Sequence, residues 1–314
     1  MTVRSKWQSL PTEAINPASL AIDKLDAAGI VELMLAEDRR MLAAVQKEHD
    51  RIAVGAEMCA KVLSKNGRLI FIGAGTSGRL GVLEAAEMPP TFGTRPDVVL
   101  AIIAGGKGAI LKAKEGAEDN FEEGARSLAR LTPTKKDVVI GVSASGMTPF
   151  VRGGLTSARQ AGSRVIFVTC DPRTELQAFV DLTIAPQVGP EVIAGSTRLK
   201  AGTATKIVLN MLTTAAMILT GKTYGNLMVD VNALGSAKLR DRARRILNIV
   251  TGLDPEAAER LLKRAKWDVK LAIVMQKTGL SAAQAQARLR RSKDVIHVAI
   301  GEDIEPTLRA LIID

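Results

Sequence analysis

Two turns rich in glycine and hydroxyl groups are the stretches of this sequence best suited to chemistry. Residues 73–78 read GAGTSG and residues 143–149 read SASGMTP, and each follows a short apolar run and opens a helical pattern. Free N–H groups at a helix start, together with hydroxyl donors, can hold a phosphate without a lysine. The alternative is a plain helix start with Ser or Thr as the N-cap. Two such turns in one chain favour phosphate, and the predicted donors are the side chains of Thr76, Ser77, Ser143, Ser145 and Thr148.

Two glutamates are candidates for acid–base work. Glu87 precedes Pro89 and Pro90, which we expect to end its helix, so the negative end of the helix dipole would disfavour a charged carboxylate there and suit a general acid. Glu118 lies in the polar run 114–120 at a predicted helix junction, where a carboxylate stays ionised and can act as a base. Taken alone, both residues are as readily explained as surface glutamates.

The turn at 73–78 also spells G-x-G-x-x-G, the dinucleotide-binding fingerprint. That motif requires an acidic residue at the end of the following strand to hold a ribose. The next apolar run ends in Ala104-Gly105-Gly106-Lys107, which contains no carboxylate. We therefore expect no nicotinamide cofactor.

The elements that position these residues form an alternating pattern. Five short apolar runs, at 69–72, 98–103, 138–142, 165–169 and 182–185, are separated by helical segments. This pattern predicts an α/β fold whose parallel sheet is covered by helices on both faces. In such sheets, ligands bind beyond the carboxyl ends of the strands, where both glycine-rich turns lie.

The helical segments divide the chain into two predicted domains. Residues 1–20 read as an extended arm, and helices are predicted at 30–49, 50–63, 79–87, 108–129, 149–161 and 203–219. Beyond residue 235 only helices are indicated, at 240–251, 255–265, 267–277 and 280–291, with Asp254 as N-cap before Pro255. We therefore predict an α/β domain over 1–235, which contains both glycine-rich turns, and a small all-α domain over 236–314.

Composition narrows the class of protein further. Two histidines and two cysteines, Cys59 and Cys170, cannot supply a metal site or a disulfide framework, so we predict no metal, no cofactor and a cytoplasmic location. No uninterrupted apolar run is long enough to cross a membrane. The net charge of +10 arises in residues 236–293, which carry 15 Lys and Arg against 5 Asp and Glu. With 3% aromatic residues there is little to stack bases on, so we predict no nucleic-acid partner.

Several long blocks resemble one family of enzymes. They are GAGTSGRLGVLEAAEMPPTFG at 73–93, EGAEDN at 115–120, SASGMTP at 143–149, GPEVIAGSTRLKAGTATK at 189–206, YGNLMVDV at 224–231 and TEAINPAS at 12–19. Together they resemble N-acetylmuramic acid 6-phosphate etherases, which have the sugar isomerase (SIS) type of fold, over residues 12–300. The animal glucokinase regulatory protein, a sensor of sugar phosphates without catalysis, shares parts of the pattern.

The resemblance implies an activity and roles for both glutamates. Such an enzyme opens its substrate's ring and cleaves the ether at C3, releasing D-lactate, and water then adds to give N-acetylglucosamine 6-phosphate. It places Glu118 as the base that removes the C2 proton and Glu87 as the acid that protonates the leaving oxygen. It also implies a homodimer with the site near the interface. A sugar-phosphate sensor and an aldose–ketose isomerase remain alternatives, although an isomerase usually needs a histidine near the sugar.

Helix length constrains how these residues can cooperate. Ten residues separate Ser77 from Glu87, about 15 Å along a helix. One helix therefore cannot hold the phosphate at its start and also present Glu87 to the same small sugar. We expect the phosphate to bind at Ser143, Ser145 and Thr148 unless Glu87 serves a ligand bound mainly by another subunit.

Overall fold

A parallel five-stranded sheet forms the centre of the N-terminal part of the chain. The computed structural model describes residues 10–313, with strand order β2-β1-β3-β4-β5 and every neighbouring pair parallel. The strands are β1 (Leu69–Gly73), β2 (Val99–Ile103), β3 (Val138–Val142), β4 (Arg164–Val168) and β5 (Leu182–Ile184). All five predicted strands are confirmed, because short β-branched runs can be buried on both faces only within such a sheet.

The register of the sheet brings the two glycine-rich turns together. Gly73, the last residue of β1, pairs with Ile103 on one side and Val142 on the other. The three strands therefore end at the same level. The turns at 73–78 and 143–149 follow the neighbouring strands β1 and β3, so they lie side by side at the carboxyl ends of the strands.

Seven helices flank or follow the strands in this part of the chain. They are α1 (Ala27–Gln46), α2 (His49–Leu63), α3 (Gly75–Phe92), α4 (Gly108–Leu111), α5 (Phe121–Ala129), α6 (Pro149–Gln160) and α7 (Lys200–Leu219). The core between α5, α6 and the sheet is fully buried and contains Phe150, Leu155 and Phe167. On the other face, α2 packs against β1, β3 and β5. The sheet is thus covered on both faces, as the apolar strands require.

Helix α3 does not end where the sequence predicts. It continues through Pro89 and Pro90 to Phe92, so the predicted end at residue 87 is wrong. Proline has a backbone φ compatible with a helix and costs mainly the missing N–H hydrogen bonds. Met88 and Phe92 are both 4% exposed, and burying these two side chains offsets that loss.

The segment predicted as one helix over 108–129 is interrupted. After α4 the chain forms a loop and a 3-10 turn at Ala117–Asp119, and α5 begins only at Phe121. Gly116 has a φ of 76°, which ends regular helix, and the Asn120 side chain caps α5 by accepting from the backbone N–H of Glu123. Glu118 therefore lies in a turn, in agreement with its predicted place at a helix junction.

The N-terminal arm is packed rather than extended. Residues 1–9 of the predicted arm lie outside the described part of the chain, and the rest forms short 3-10 turns at Pro11–Glu13 and Pro17–Ser19. Thr12 and Asn16 are buried. The proline at the first position of each turn fixes a φ that suits it. The prediction of an extended arm is thus wrong for residues 11–13 and 17–19, whereas Ala14 and Asn16 have extended backbone angles.

The chain divides into two compact units. One contains the chain up to Ala86 together with Asp97–Ala215, and the other contains Glu87–Pro96 and the chain from Ala216 onward. The division falls about twenty residues before the predicted boundary at 235, and it falls within α3 and α7. The second unit contains α8 (Ala237–Thr251), α9 (Pro255–Arg264), α10 (Val269–Thr278), α11 (Ala282–Arg291), α12 (Ile296–Ile300) and α13 (Glu305–Ile313). Asp254 caps α9 as predicted, whereas α12 and α13 have no counterpart in the prediction.

Helix α7 is long and apolar enough to be considered as a candidate membrane-spanning helix. It has the length and composition of a membrane span, with a mean hydropathy of 1.3 over its most apolar window, and 50% of that window is buried within the protein. The expectation of no span considers only uninterrupted apolar runs, whereas α7 is apolar on average. The core helix of a soluble protein passes the same test, so α7 is weak evidence for a membrane.

Candidate active site

A cavity of about 380 Å³ lies at the carboxyl ends of β1 and β3. Its walls include the hydroxyl residues predicted from both turns and one of the two predicted catalytic glutamates, namely Thr76, Ser77, Ser143, Ser145, Thr148 and Glu118. The fold therefore brings six of the seven predicted site residues to one cavity. Glu87 is not among the lining residues.

The first turn is built by close approach of backbone to backbone. At Gly78 an added Cβ would lie 2.7 Å from the Gly73 carbonyl oxygen and 2.6 Å from a side-chain carbon of Ile103. Only glycine lets α3 start directly on the end of β1. Because α3 begins at Gly75, its first N–H groups have no intrahelical acceptor, and these lie next to Thr76 and Ser77.

The second turn gathers three hydroxyl groups. Ser143 Oγ lies 2.7 Å from Thr148 Oγ1 and 3.5 Å from Ser145 Oγ. Thr148 occupies the N-cap position of α6, yet its side chain makes no capping hydrogen bond. The hydroxyl groups therefore pair with one another instead of capping the helix, which counts against the plain helix-start interpretation. The cluster of Ser143, Ser145 and Thr148 is called the hydroxyl cluster below.

The two candidate glutamates have different surroundings. Glu118 is half-buried in its 3-10 turn and faces the cavity. Glu87 is exposed and belongs to the second unit of the chain. Because α3 runs on to Phe92, Glu87 is not at the end of its helix, and the argument from the negative end of the helix dipole is wrong.

Sequence reasoning missed several residues of the cavity wall. They are contributed by the N-terminal arm, the loop before α5, the loop before α7 and α7 itself, and include Glu13, Lys114, Glu115, Thr197 and Thr205. Lys114 Nζ donates to the Gly105 carbonyl at 2.6 Å, and Arg79 Nε donates to the Ile110 carbonyl at 2.9 Å, so both cations fix loops around the cavity. These residues form no strong local pattern in the sequence. The signal that could have identified them is the resemblance of the blocks at 12–19, 115–120 and 189–206 to the family.

A buried charged network joins the arm to the start of α7. The Glu37 carboxylate accepts from Lys200 Nζ at 2.6 Å and from the Asn16 amide at 2.8 Å. Burial opposes ionisation of Glu37, but the hydrogen bonds from Lys200 and Asn16 outweigh it and hold its pKa below the usual value. Asn16 also donates to the Pro190 carbonyl at 3.2 Å, which ties the arm to the loop before α7.

Glu191 caps the start of α7 from within the core. Its carboxylate accepts from the backbone N–H groups of Lys200 at 3.0 Å and Ala201 at 2.9 Å, and the residue is 0% exposed. Burial raises the pKa of this carboxyl despite those two hydrogen bonds. Glu191, the glutamate in the block at 189–206, therefore positions the loop that lines the cavity.

The described part of the chain offers no ready metal site. Within residues 10–313 no group of three or more His, Cys, Asp or Glu side chains is arranged to hold a metal ion. Burial raises the pKa of both Cys59 and Cys170 to about 12, so neither thiol is a ready ligand or nucleophile at neutral pH. The titratable chemistry at the cavity belongs to carboxylates, lysine and arginine.

Comparison with known proteins defines first the class and then the family. Residues 51–159 match the family model for the N-terminal SIS domain of glucokinase regulatory protein. Combined with the parallel sheet and its hydroxyl-lined cavity, this match makes the protein an α/β protein of the SIS class.

Its relatives give the family. The chain is 46% identical to N-acetylmuramic acid 6-phosphate etherase of Microcystis aeruginosa, over 94% of this chain and 97% of that one. It is 52% identical to the etherase of Trichormus variabilis, over 86% and 88%, and 48% identical to that of Nostoc punctiforme, over 96% and 97%. The chain belongs to the N-acetylmuramic acid 6-phosphate etherase family.

Proposed function

We propose that this protein cleaves the D-lactyl ether of N-acetylmuramic acid 6-phosphate, a carbon–oxygen lyase reaction. Elimination releases D-lactate, and addition of water gives N-acetylglucosamine 6-phosphate. The observation that carries the proposal is identity of 46–52% to named etherases over most of the chain. Incubating the purified protein with the muramic acid phosphate should release D-lactate, and an absence of lactate would contradict the proposal.

A sugar-phosphate sensor without catalysis is the second candidate. It is favoured by the match of residues 51–159 to a domain of glucokinase regulatory protein. A sensor would bind the sugar phosphate but leave its ether intact. The lactate assay therefore separates the two candidates, provided that binding is measured on the same preparation.

In the proposed mechanism Glu118 is the general base. Once the ring is open, the aldehyde at C1 acidifies the C2 proton, so a positioned carboxylate suffices to remove it. Half-burial in a turn at the cavity wall supports this role for Glu118. Loss of the lactyl oxygen from C3 then gives an unsaturated aldehyde, and water adds at C3 to complete the reaction.

We assign the phosphate to the hydroxyl cluster. Ser143 Oγ and two hydroxyl groups within 3.5 Å of it, beside the first turn of α6, supply neutral donors, and the start of the helix adds the positive end of its dipole. Thr76 and Ser77, at the start of α3, line the same cavity and would hold the sugar hydroxyls or share the phosphate.

We assign to Glu87 the protonation of the leaving lactate oxygen. Glu87 is solvent-exposed and does not line the cavity of its own chain, and about 15 Å of helix separates it from Ser77. We therefore propose a homodimer in which Glu87 serves the cavity of the other copy. A cytoplasmic location and independence from metal ions, nicotinamide and nucleic acid complete the proposal, and dialysis against a strong chelator should leave lactate release intact.

A further inference from the structure

A third carboxylate, Glu13 of the N-terminal arm, lines the cavity that contains Glu118 and the hydroxyl cluster. The roles assigned above leave it without a function. They also leave one chemical step without a residue, because the sugar ring must open before C2 becomes acidic. We propose that Glu13 is the catalytic acid–base group that opens the pyranose ring, an inference that rests on the proposed etherase function.

The arm holds Glu13 at the cavity through buried contacts on both sides of it in sequence. Leu10 is 5% exposed and Thr12 is 1% exposed. The Thr12 carbonyl accepts a hydrogen bond from the backbone N–H of Gly195 at 3.2 Å. Four residues further on, Asn16 is fixed by Glu37 and the Pro190 carbonyl. A segment anchored at this many points holds the backbone of Glu13 at the wall of the cavity, which its exposed side chain lines.

The loop opposite the arm leaves room for this carboxylate. Gly195 has a φ of 74°, and a Cβ at this position would lie 3.0 Å from Glu13 Oε2. Any side chain there would be strained and would crowd the carboxylate. The backbone of the loop before α7 therefore passes directly beside Glu13, and both form one wall of the cavity.

The other ionisable groups of the wall are less suited to ring opening. Arg79 is a donor without an acceptor atom and is committed to the Ile110 carbonyl. Lys114 is committed to the Gly105 carbonyl. Glu118 has the C2 proton as its task, and Glu115 lies on the same loop only three residues earlier. Glu13 alone brings a carboxylate to the cavity from a separate segment of the chain.

The step balances with one proton and no co-reactant. The Glu13 carboxylate takes the hydroxyl proton from O1, and the electron pair of that O–H bond forms the C1 aldehyde. The C1–O5 bond breaks with its pair remaining on O5, and the Glu13 carboxylic acid returns the same proton to O5. The carboxylate is regenerated, and the open-chain aldehyde then meets Glu118.

Ring opening can be measured without the ether. N-acetylglucosamine 6-phosphate lacks the lactyl group, yet interconversion of its α and β anomers requires the same opening step. Magnetisation exchange between the two anomeric protons should show that the full-length wild-type protein accelerates interconversion above the buffer rate. Glu13→Gln should lower this acceleration about 100-fold or more, as expected for loss of an acid–base group.

The controls separate this role from simpler ones. Asp23→Asn removes an exposed carboxylate of the same N-terminal segment away from the cavity and should leave anomer exchange unchanged. Titration calorimetry should show that Glu13→Gln binds the sugar phosphate within about threefold of wild type, since the hydroxyl cluster is intact. Unchanged anomer exchange in Glu13→Gln, loss of exchange in Glu115→Gln instead, or lost sugar binding in Glu13→Gln would each overturn the assignment. Failure of the wild type to release lactate would instead refute the etherase function, so the two failures are distinguishable.

Discussion

At the scale of single residues, the cavity combines neutral phosphate donors with carboxylates from separate loops. The hydroxyl cluster is polar but uncharged, so it can accept a phosphate dianion without a permanent cation beside the reacting carbons. The cations on the wall, Arg79 and Lys114, are both bonded to backbone carbonyls. This arrangement leaves proton transfer to the glutamates, and their separate tasks can be tested separately.

The first prediction distinguishes the base from the acid. In D₂O, Glu118→Gln should neither exchange the C2 proton of the muramic acid phosphate nor release lactate, with losses of about 10²- to 10⁴-fold. Glu87→Gln should still exchange the C2 proton, because that step precedes departure of the lactate oxygen, while releasing little lactate. Proton NMR of C2 together with an enzymatic lactate assay follows both steps at once. A Glu118 variant that exchanges, or a Glu87 variant that cleaves normally, would refute the roles.

The second prediction concerns the hydroxyl cluster. Ser143→Ala removes the hydroxyl that lies 2.7 Å from Thr148 Oγ1 but leaves the backbone of the turn in place. Binding of N-acetylglucosamine 6-phosphate should weaken by about 1–3 kcal/mol, the cost of losing one donor to a charged group. Calorimetric titration gives this value directly. The matched ligand is N-acetylglucosamine without phosphate, which should bind weakly and equally to both proteins, and an equal loss for both ligands would contradict the assignment.

At the scale of elements, the strands and the start of α9 could be predicted from the sequence, whereas the end of α3 could not. All five strands coincide with short apolar runs, because burial on both faces leaves a local signal. The end of α3 was missed, because Met88 and Phe92 hold two prolines within a helix through tertiary packing that no local rule contains. Glu13 was missed for the same reason, since its place at the cavity depends on contacts of Asn16 with Glu37 and Pro190, far away in sequence.

The third prediction concerns the ion pair that joins the starts of the neighbouring strands β1 and β3. Asp137, immediately before β3, accepts from Arg68 Nη2 at 2.8 Å and from the Arg68 backbone N–H at 3.1 Å, just before β1. Burial opposes ionisation of Asp137, but hydrogen bonds from the Arg68 side chain and the Thr134 backbone N–H, together with the charge of Arg68, outweigh it and lower the pKa below the ordinary 3.8. Asp137→Asn should therefore reduce the free energy of unfolding at pH 7 by about 1–3 kcal/mol.

The pH dependence of this effect has a definite sign. Because the folded pKa is depressed, the stabilisation is fully present above 3.8 and is lost as pH falls through the lower folded value. The difference in free energy of unfolding between wild type and Asp137→Asn, measured by urea denaturation, should thus shrink below pH 3.8. Glu57→Gln, an exposed carboxylate on α2, should change stability by less than about 0.5 kcal/mol at either pH. A difference that grows on acidification would show that another group dominates.

At the scale of the whole molecule, two properties remain to be considered, namely where the excess of basic residues lies and how copies of the chain assemble. The excess of 15 Lys and Arg over 5 Asp and Glu in residues 236–293 falls entirely within the second unit, whereas the cavity lies in the first. The role proposed for Glu87 depends on the assembly of two copies, and that assembly can be tested directly.

The fourth prediction uses two inactive variants to test that assembly. If Glu87 of one copy serves the cavity of the other, a heterodimer of Glu87→Gln and Glu118→Gln contains one site with both substitutions and one with neither. Random pairing makes half of the dimers mixed, so lactate release should recover to about a quarter of the wild-type rate per chain. If Glu87 instead serves its own chain, every site retains one substitution and no activity returns.

A purified mixed dimer gives a sharper result than random pairing, provided that its subunits do not exchange during the assay. Coexpression with two different affinity tags and sequential purification isolates the mixed dimer, in which about half the wild-type activity per chain is expected because one of two sites is intact. The mixed dimer of wild type with the doubly substituted chain Glu87→Gln/Glu118→Gln is the matched control. Under the shared-site arrangement each of its sites retains one substitution, so it should be inactive, whereas under the single-chain arrangement it should keep half the activity. The two dimers therefore give opposite results under the two arrangements, and activity in the control with none in the mixed variant would place Glu87 at its own cavity.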